Sequence, residues 1–218
     1  TPDLAMKTNS ILTIATAFTF IAASSARALT ANQSADLTAL YEEERVAFEL
    51  YDAFADRYDL RPFKNIRQSE LRHRAIMKSL LEDHGVIVPA EGKKGTFTDS
   101  RLQKIHDDLL ALGNQSLTEA LKASALVEET DIADLKETAA NDAATPAIKE
   151  TCKQLIAASE NHLRAFVRNL KMREIDYRPQ VLSNDDYTAI INAESSCGNG
   201  KGNGSGKGRG PRNGRGRK

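Results

Sequence analysis

Tryptophan is absent from this 218-residue chain, and aromatic residues make up only 6% of it. Cysteine is scarce, with two residues and no CxxC or Cys/His spacing, which excludes a thiolate-held zinc site. No apolar run approaches the roughly 20 residues that a membrane-spanning helix needs. Sustained alternation of β-branched residues is missing too, so a sheet is not expected. No Ser/His/Asp or Cys/His array is apparent, which argues against nucleophilic hydrolysis. Net charge is also lacking, with 30 bases against 30 acids. What remains is 40% hydrophobic and 28% charged, the make-up of a soluble chain of Ala-, Leu-, Glu- and Lys-rich helices with length enough for a sizeable core.

The zero net charge hides a split. Residues 198–218 carry seven Lys/Arg and no acid, and residues 1–28 carry Lys7, Arg27 and Asp3; the body between, 29–197, holds 21 bases and 29 acids, a net of −8. Met6-Lys7 is a cationic start, Ile11 to Ala23 is a 13-residue apolar run, and Ala26-Arg27-Ala28 has the A-x-A form. Residues 1–28 therefore read as a signal peptide, with Thr1 to Ala5 as an over-extended start, and the mature chain is expected outside the cytoplasm, periplasmic or extracellular. An oxidising compartment permits a bridge between Cys152 and Cys197, although nothing in the sequence fixes their separation, and Cys197 free or paired to another chain stays open. Residues 198–218, with glycine at alternate positions and no apolar side chain, are expected to stay disordered. They read first as a solubilising linker; their charge also suits polyanions or envelope surfaces, whereas the acidic body argues against nucleic acid.

Between these ends, residues 29–197 predict an all-α domain. A first long helix is expected over about Ser34–Tyr58 and a second over Lys64–His84, closed by Gly85. Gly/Pro-rich residues 86–98 lead to a short helix, Asp99 to Leu112, stopped by Gly113. Ser116 and Glu119 form a capping-box signature for a third long helix reaching Ala140. Thr145-Pro146 opens a fourth, to about Met172, and Ser183 caps a last short helix ending near Asn192. The link of about thirty residues between the second and third long helices lets the chain travel back along a four-helix bundle.

Apolar spacing defines an inward stripe on each long helix, and each stripe is interrupted near its middle. Glu44 falls between Tyr41 and Phe48, Glu70 and His73 between Ile66 and Met77, Glu128 between Ala125 and Ile132, and Ser159 and His162 between Leu155 and Phe166. Three carboxylates and two imidazoles turned into one core would cost several kcal/mol each unless a cation sat among them. Carboxylate with imidazole is a ligand mix for iron or manganese, and the i, i+3 spacing of Glu70 and His73 puts both on one side of a helix.

Glu44 and Tyr51, then Ser69-Glu70-x-x-His73, then Glu128-Glu129, then His162 resembles the ferritin-like di-iron carboxylate pattern. The blocks EEERVAFELYDAF, FKNIRQSELRH, ALVEETDIADL, NHLRAFVRNL and YRPQVLSNDDY are similar to a bacterial ferritin-like family, domain of unknown function 2202, over roughly residues 35–192. The resemblance implies a ferritin-like four-helix bundle with one long crossover. It implies Glu44, Glu70, His73, Glu128 and His162 as ligands of iron, one ion or two, or of manganese, with Tyr51 and Ser159 behind them. The family pattern asks for Glu where this chain has Ser159. Glu129, Asp131 or a water is the alternative source of that oxygen, and Glu160 is adjacent but about 100° round the helix.

The implied activity is a ferroxidase- or peroxidase-type oxidoreductase taking dioxygen or peroxide. The alternative is a non-catalytic metal-binding or structural envelope module that works through the basic tail. A homodimer is the expected assembly, with no cage and no transmembrane anchor.

Overall fold

The computed structural model describes residues 29–193, which fold into six helices with no strand among the described residues. They are α1 (Ala31–Tyr58), α2 (Arg61–Asp83), α3 (Ser100–Gly113), α4 (Leu117–Ala140), α5 (Pro146–Lys171) and α6 (Asn184–Asn192). The chain is all-α. The expected signal peptide, Cys197 and the basic tail lie outside the described residues. None of the described helices is long and apolar enough to cross a membrane.

Capping chemistry sets the helix ends. α1 starts three residues before the expected Ser34, because Thr30 and Gln33 form a reciprocal capping box, and Gln33 also donates to the Ala143 carbonyl. The signature expected at Ser116 is only half used: the Ser116 hydroxyl accepts from the Glu119 amide, while the Glu119 carboxylate pairs with Lys122. α2 starts at Arg61 rather than Lys64, since Pro62 fits a first turn, where its missing N–H is not needed. Gly85 has φ +69°, and the Val86 amide reaches back to the Leu81 carbonyl at 2.9 Å, a Schellman closure of α2.

Gly113 does something other than stop a helix. A Cβ at this position would lie 2.2 Å from Cζ of Phe54, a fully buried ring that also packs on Phe63. The glycine lets the end of α3 close onto α1, where the Tyr58 hydroxyl donates to the Gly113 carbonyl at 2.6 Å.

Four long helices form a closed circuit of neighbours: α1 with α2, α2 with α5, α5 with α4, and α4 with α1. Two-residue and five-residue links make α1/α2 and α4/α5 antiparallel. The other two pairs are antiparallel as well: Gln33 meets Ala143 while Tyr51 meets Ser124, and His84 meets Thr145 while Glu70 meets His162. Residues 84–116 therefore run the length of the molecule, and α3, inside that link, lies across the α1–α4 seam. Arg45 holds the early part of the link through the carbonyls of Lys93 and Thr96.

Two apolar clusters fill the interior. One contains Leu50, Phe54, Phe63, Leu121, Ile132 and Phe166, the other Leu37, Met77, Leu81, Leu135, Ile148 and Leu155. Each such side chain contributes about 1.5–3 kcal/mol by leaving water. Cys152 belongs to the second cluster, and burial pushes its thiol up to about 11. In sequence order on α1, α2 and α5, the polar interruptions fall where one cluster gives way to the other; on α4, Glu128 lies between Ala125 and Ile132 of the first cluster.

Candidate metal centre

Glu44, Glu70, His73, Glu128 and His162 come together in that polar layer, all nearly inaccessible to solvent. Glu70 is the hub. Its Oε2 lies 2.8 Å from Nδ1 of His73 and its Oε1 2.9 Å from Nδ1 of His162. Glu44 closes on His73 from α1 at 3.5 Å, and Glu128 on His162 from α4 at 3.4 Å. The two imidazoles stack, with centroids 5.3 Å apart and planes within 17°. The result is a near-symmetric row of Glu44, His73, Glu70, His162 and Glu128, built from all four long helices.

The N···O separations have hydrogen-bond length, yet the ring N–H directions miss the oxygens. His73 Nδ1, His162 Nδ1 and Glu70 Oε1 are buried without a hydrogen-bond partner. One ligand atom each from Glu70, His73 and His162 lie within 4.8 Å of one another. Buried polar atoms left unpaired cost about 1–3 kcal/mol each, so convergence of three in one layer calls for a common partner.

Electrostatics reflect the crowding. Burial opposes charge on the histidines, but contacts with Glu44 and Glu70 outweigh it and carry His73 up to about 11; Glu128 and Glu70 likewise carry His162 up to about 10. Burial would raise Glu70, and the two imidazoles overcome it, bringing it down to about 2. Glu44 and Glu128 are raised, first by burial; the next upward push is Asp131 for Glu44 and Glu70 for Glu128.

Supporting residues hold the row in place. The Tyr51 hydroxyl donates to Oε1 of Glu128 at 2.6 Å, which leaves Oε2 turned to His162. Ser69, one turn before His73, sits 3.2 Å from its Nε2 and orients the ring so that Nδ1 faces inward. Tyr51 packs on Phe166, and Phe166 on Phe63, a layer of rings beneath the carboxylates.

Of the expected alternatives, only Asp131 reaches this region. The Ser159 hydroxyl donates to its Oδ2 at 2.5 Å, so Ser159 of α5 binds a carboxylate delivered from α4. Burial and the neighbouring Glu128 raise Asp131 to about 8. Glu129 and Glu160 do not join. Glu160 is partly exposed and faces Arg164 on its own helix. Glu129 is fully buried but points the other way. Its Oε2 accepts the backbone N–H groups of Gln180, Val181 and Leu182, and its Oε1 takes the Tyr177 hydroxyl.

That clamp fastens the segment between α5 and α6. Glu129→Ala is expected to lower stability by at least about 2 kcal/mol, since it orphans several buried donors together. Hydrogen exchange should show protection lost at amides 180–182 while the centre of α4 stays protected; full protection at 180–182 would contradict this role. His106 of α3 is buried, against Phe97 and 3.9 Å from Glu49.

An all-helical domain with a buried Glu/His layer is thus what the sequence folds into. The chain belongs to the family described as an uncharacterized protein domain (DUF2202), whose pattern matches residues 34–194. It is similar to the uncharacterized protein MJ0754 of Methanocaldococcus jannaschii, 34% identical over 163 residues, 74% of this chain and 88% of that protein. Among solved structures it resembles the crystal structure of hypothetical protein MJ0754 from Methanococcus jannaschii DSM 2661. The TM-score is 0.74 at 32% identity, over 77% of this chain and 95% of that one.

Proposed function

We propose that the protein is a ferritin-like four-helix bundle, exported by its first 28 residues, that holds iron or manganese in the polar layer and reacts with dioxygen or peroxide. The observation that carries this reading is the convergence of His73 Nδ1, His162 Nδ1 and Glu70 Oε1, buried and without hydrogen-bond partners, around one region of the core. Oxygen and nitrogen donors of this kind fit iron or manganese and leave no place for a soft-metal thiolate site.

Charge supports two ions. Glu44, Glu70, Glu128 and Asp131 together supply four negative charges, which balance two divalent cations when both imidazoles are neutral. Glu70 presents one oxygen to each half, and each half adds one imidazole and one outer glutamate. Asp131, steered by Ser159, supplies the further carboxylate that the sequence pattern lacks on α5. Bound ferrous iron supplies the electrons for reduction of the oxidant. The protein's part is to hold the donors in register through Tyr51, Ser69 and Ser159, and to keep bulk water out beneath the layer with Tyr51, Phe63 and Phe166.

Elemental analysis of chain 29–218, loaded anaerobically with ferrous iron, tests the reading. Two irons per chain are expected, and none above background in Glu70→Ala/His73→Ala. Equal metal content in the two proteins would remove the site. Metal bound without oxidation on exposure to dioxygen or peroxide would favour the non-catalytic module, the reading that Ser159 in place of Glu favours.

A further inference from the structure

A cavity of about 210 Å³ lies under α3, in the seam that α3 covers between α1 and α4. Its walls are Val46 and Ala47 of α1, Leu102, Ile105 and Leu109 of α3, and Val127 of α4. Its inner end is formed by Glu44, Glu70, Glu128 and Asp131, the carboxylates of the polar layer. At the outer end Ile105, Leu109 and Leu126 are only partly buried and Asp108 is exposed, so the cavity opens toward solvent beside α3. Asp131 is enclosed by protein yet keeps accessible surface, in keeping with its place on this wall.

From this chamber we infer a binding site for one small, uncharged, apolar organic molecule, held with one edge against the carboxylate layer. A cavity of about 150 Å³ lined by Leu, Ile and Phe stays dry and takes up benzene, so this chamber has room for a single ring with a short substituent. Dioxygen alone needs far less space. The lining is mostly aliphatic; its polar members are Thr130, whose hydroxyl already donates to the Leu126 carbonyl, and carboxylates, Glu43 included, which offer acceptors and no side-chain N–H donor. An anion would meet four carboxylates, and a cation would leave water for aliphatic walls before reaching them. The chamber deepens the proposed function, because its occupant would be the organic substrate class of that centre; the binding itself does not depend on the metal.

Fluorobenzene, followed by fluorine NMR with the metal-free 29–218 chain, is the probe, and benzoate is the charged control. Saturable one-to-one binding of fluorobenzene is expected, with benzoate at least tenfold weaker. Ile105→Trp fills the chamber from the crossover helix, where the side chain is half-buried, and Val127→Phe fills it from α4. Each is expected to weaken binding tenfold or more while helical circular dichroism and a cooperative melt are kept. No saturable binding, or affinity unmoved by both fillings in folded protein, would overturn the site.

Loading with Mn(II) then tests position: the bound fluorine signal should broaden, and His73→Ala/His162→Ala, whose side chains do not line the chamber, should bind fluorobenzene without that broadening. A chain that takes up Mn(II) without broadening the signal would overturn the placement beside the layer. A chain that takes up no Mn(II) would sink the metal reading, and the metal-free titration would still decide the chamber.

Discussion

Glu70→Ala should destabilise the metal-free protein by about 3–5 kcal/mol, the loss expected when one partner is cut from a buried charge cluster. Among the described residues Glu70 is the only carboxylate within 3 Å of both imidazoles, and it is held ionised, at about 2, by their proximity. Without it each histidine keeps one outer glutamate at 3.4–3.5 Å, a longer contact that offsets burial less well. A domain of this size shifts by roughly 2–4 °C for each kcal/mol, so the melting temperature should fall by about 6–20 °C. Glu70→Gln keeps the volume and loses the charge, so its smaller loss separates electrostatics from the cavity. A metal-free Glu70→Ala chain melting with the wild type would mean that Glu70 is not the hub of this layer.

How much of this was legible in the sequence depends on what each side chain touches. Thr145-Pro146 and Ser183 mark helix starts because capping is local chemistry, and both helices begin where those residues place them. The five residues Glu44, Glu70, His73, Glu128 and His162 were legible because each interrupts an apolar stripe, and stripes face a common interior. Glu128 and Glu129 could not be separated with certainty, because α4 packs on α1, α3 and α5 and buries a wide arc. Only the later segment 177–182, docking on one side, decides that Glu129 serves it and Glu128 the centre.

The same limit hid His106. α3 is amphipathic, and which neighbour its buried face would meet depends on how a long link drapes over two helices. Gly113 carries no local sign that a Phe54 ring 59 residues away occupies the space of its missing side chain. The chamber under α3 is a property of the gap between helices, and no residue spacing encodes a gap. The pairing of Ser159 with Asp131 lay between these cases: both residues were visible, and their contact required the distance across α4 and α5.

Metal uptake should depend steeply on pH, and the sign follows from the histidines. Their pKa values in the metal-free fold, about 11 for His73 and about 10 for His162, stand above the ordinary value near 6.5. Native protein thus binds more protons than the unfolded chain, and its metal-free stability falls as pH rises from about 6.5 toward 10. Asp131, raised to about 8, acts in the same direction below that pH. Glu70, lowered to about 2, acts oppositely: its contribution is full above about 4.5 and is lost as pH falls through 2. Ligation needs neutral imidazole and ionised carboxylate, so loading at pH 7 must expel at least the two histidine protons. Each proton makes apparent affinity rise about tenfold per pH unit, so two give about a hundredfold. Calorimetric titration with Mn(II) in buffers of different ionisation enthalpy should therefore count two or more protons released per loaded chain. The gap in melting temperature between loaded and metal-free protein should widen from pH 6.5 to 8.5, because one form gains affinity while the other loses stability. Metal binding with no proton release at pH 7 would place the ion away from His73 and His162.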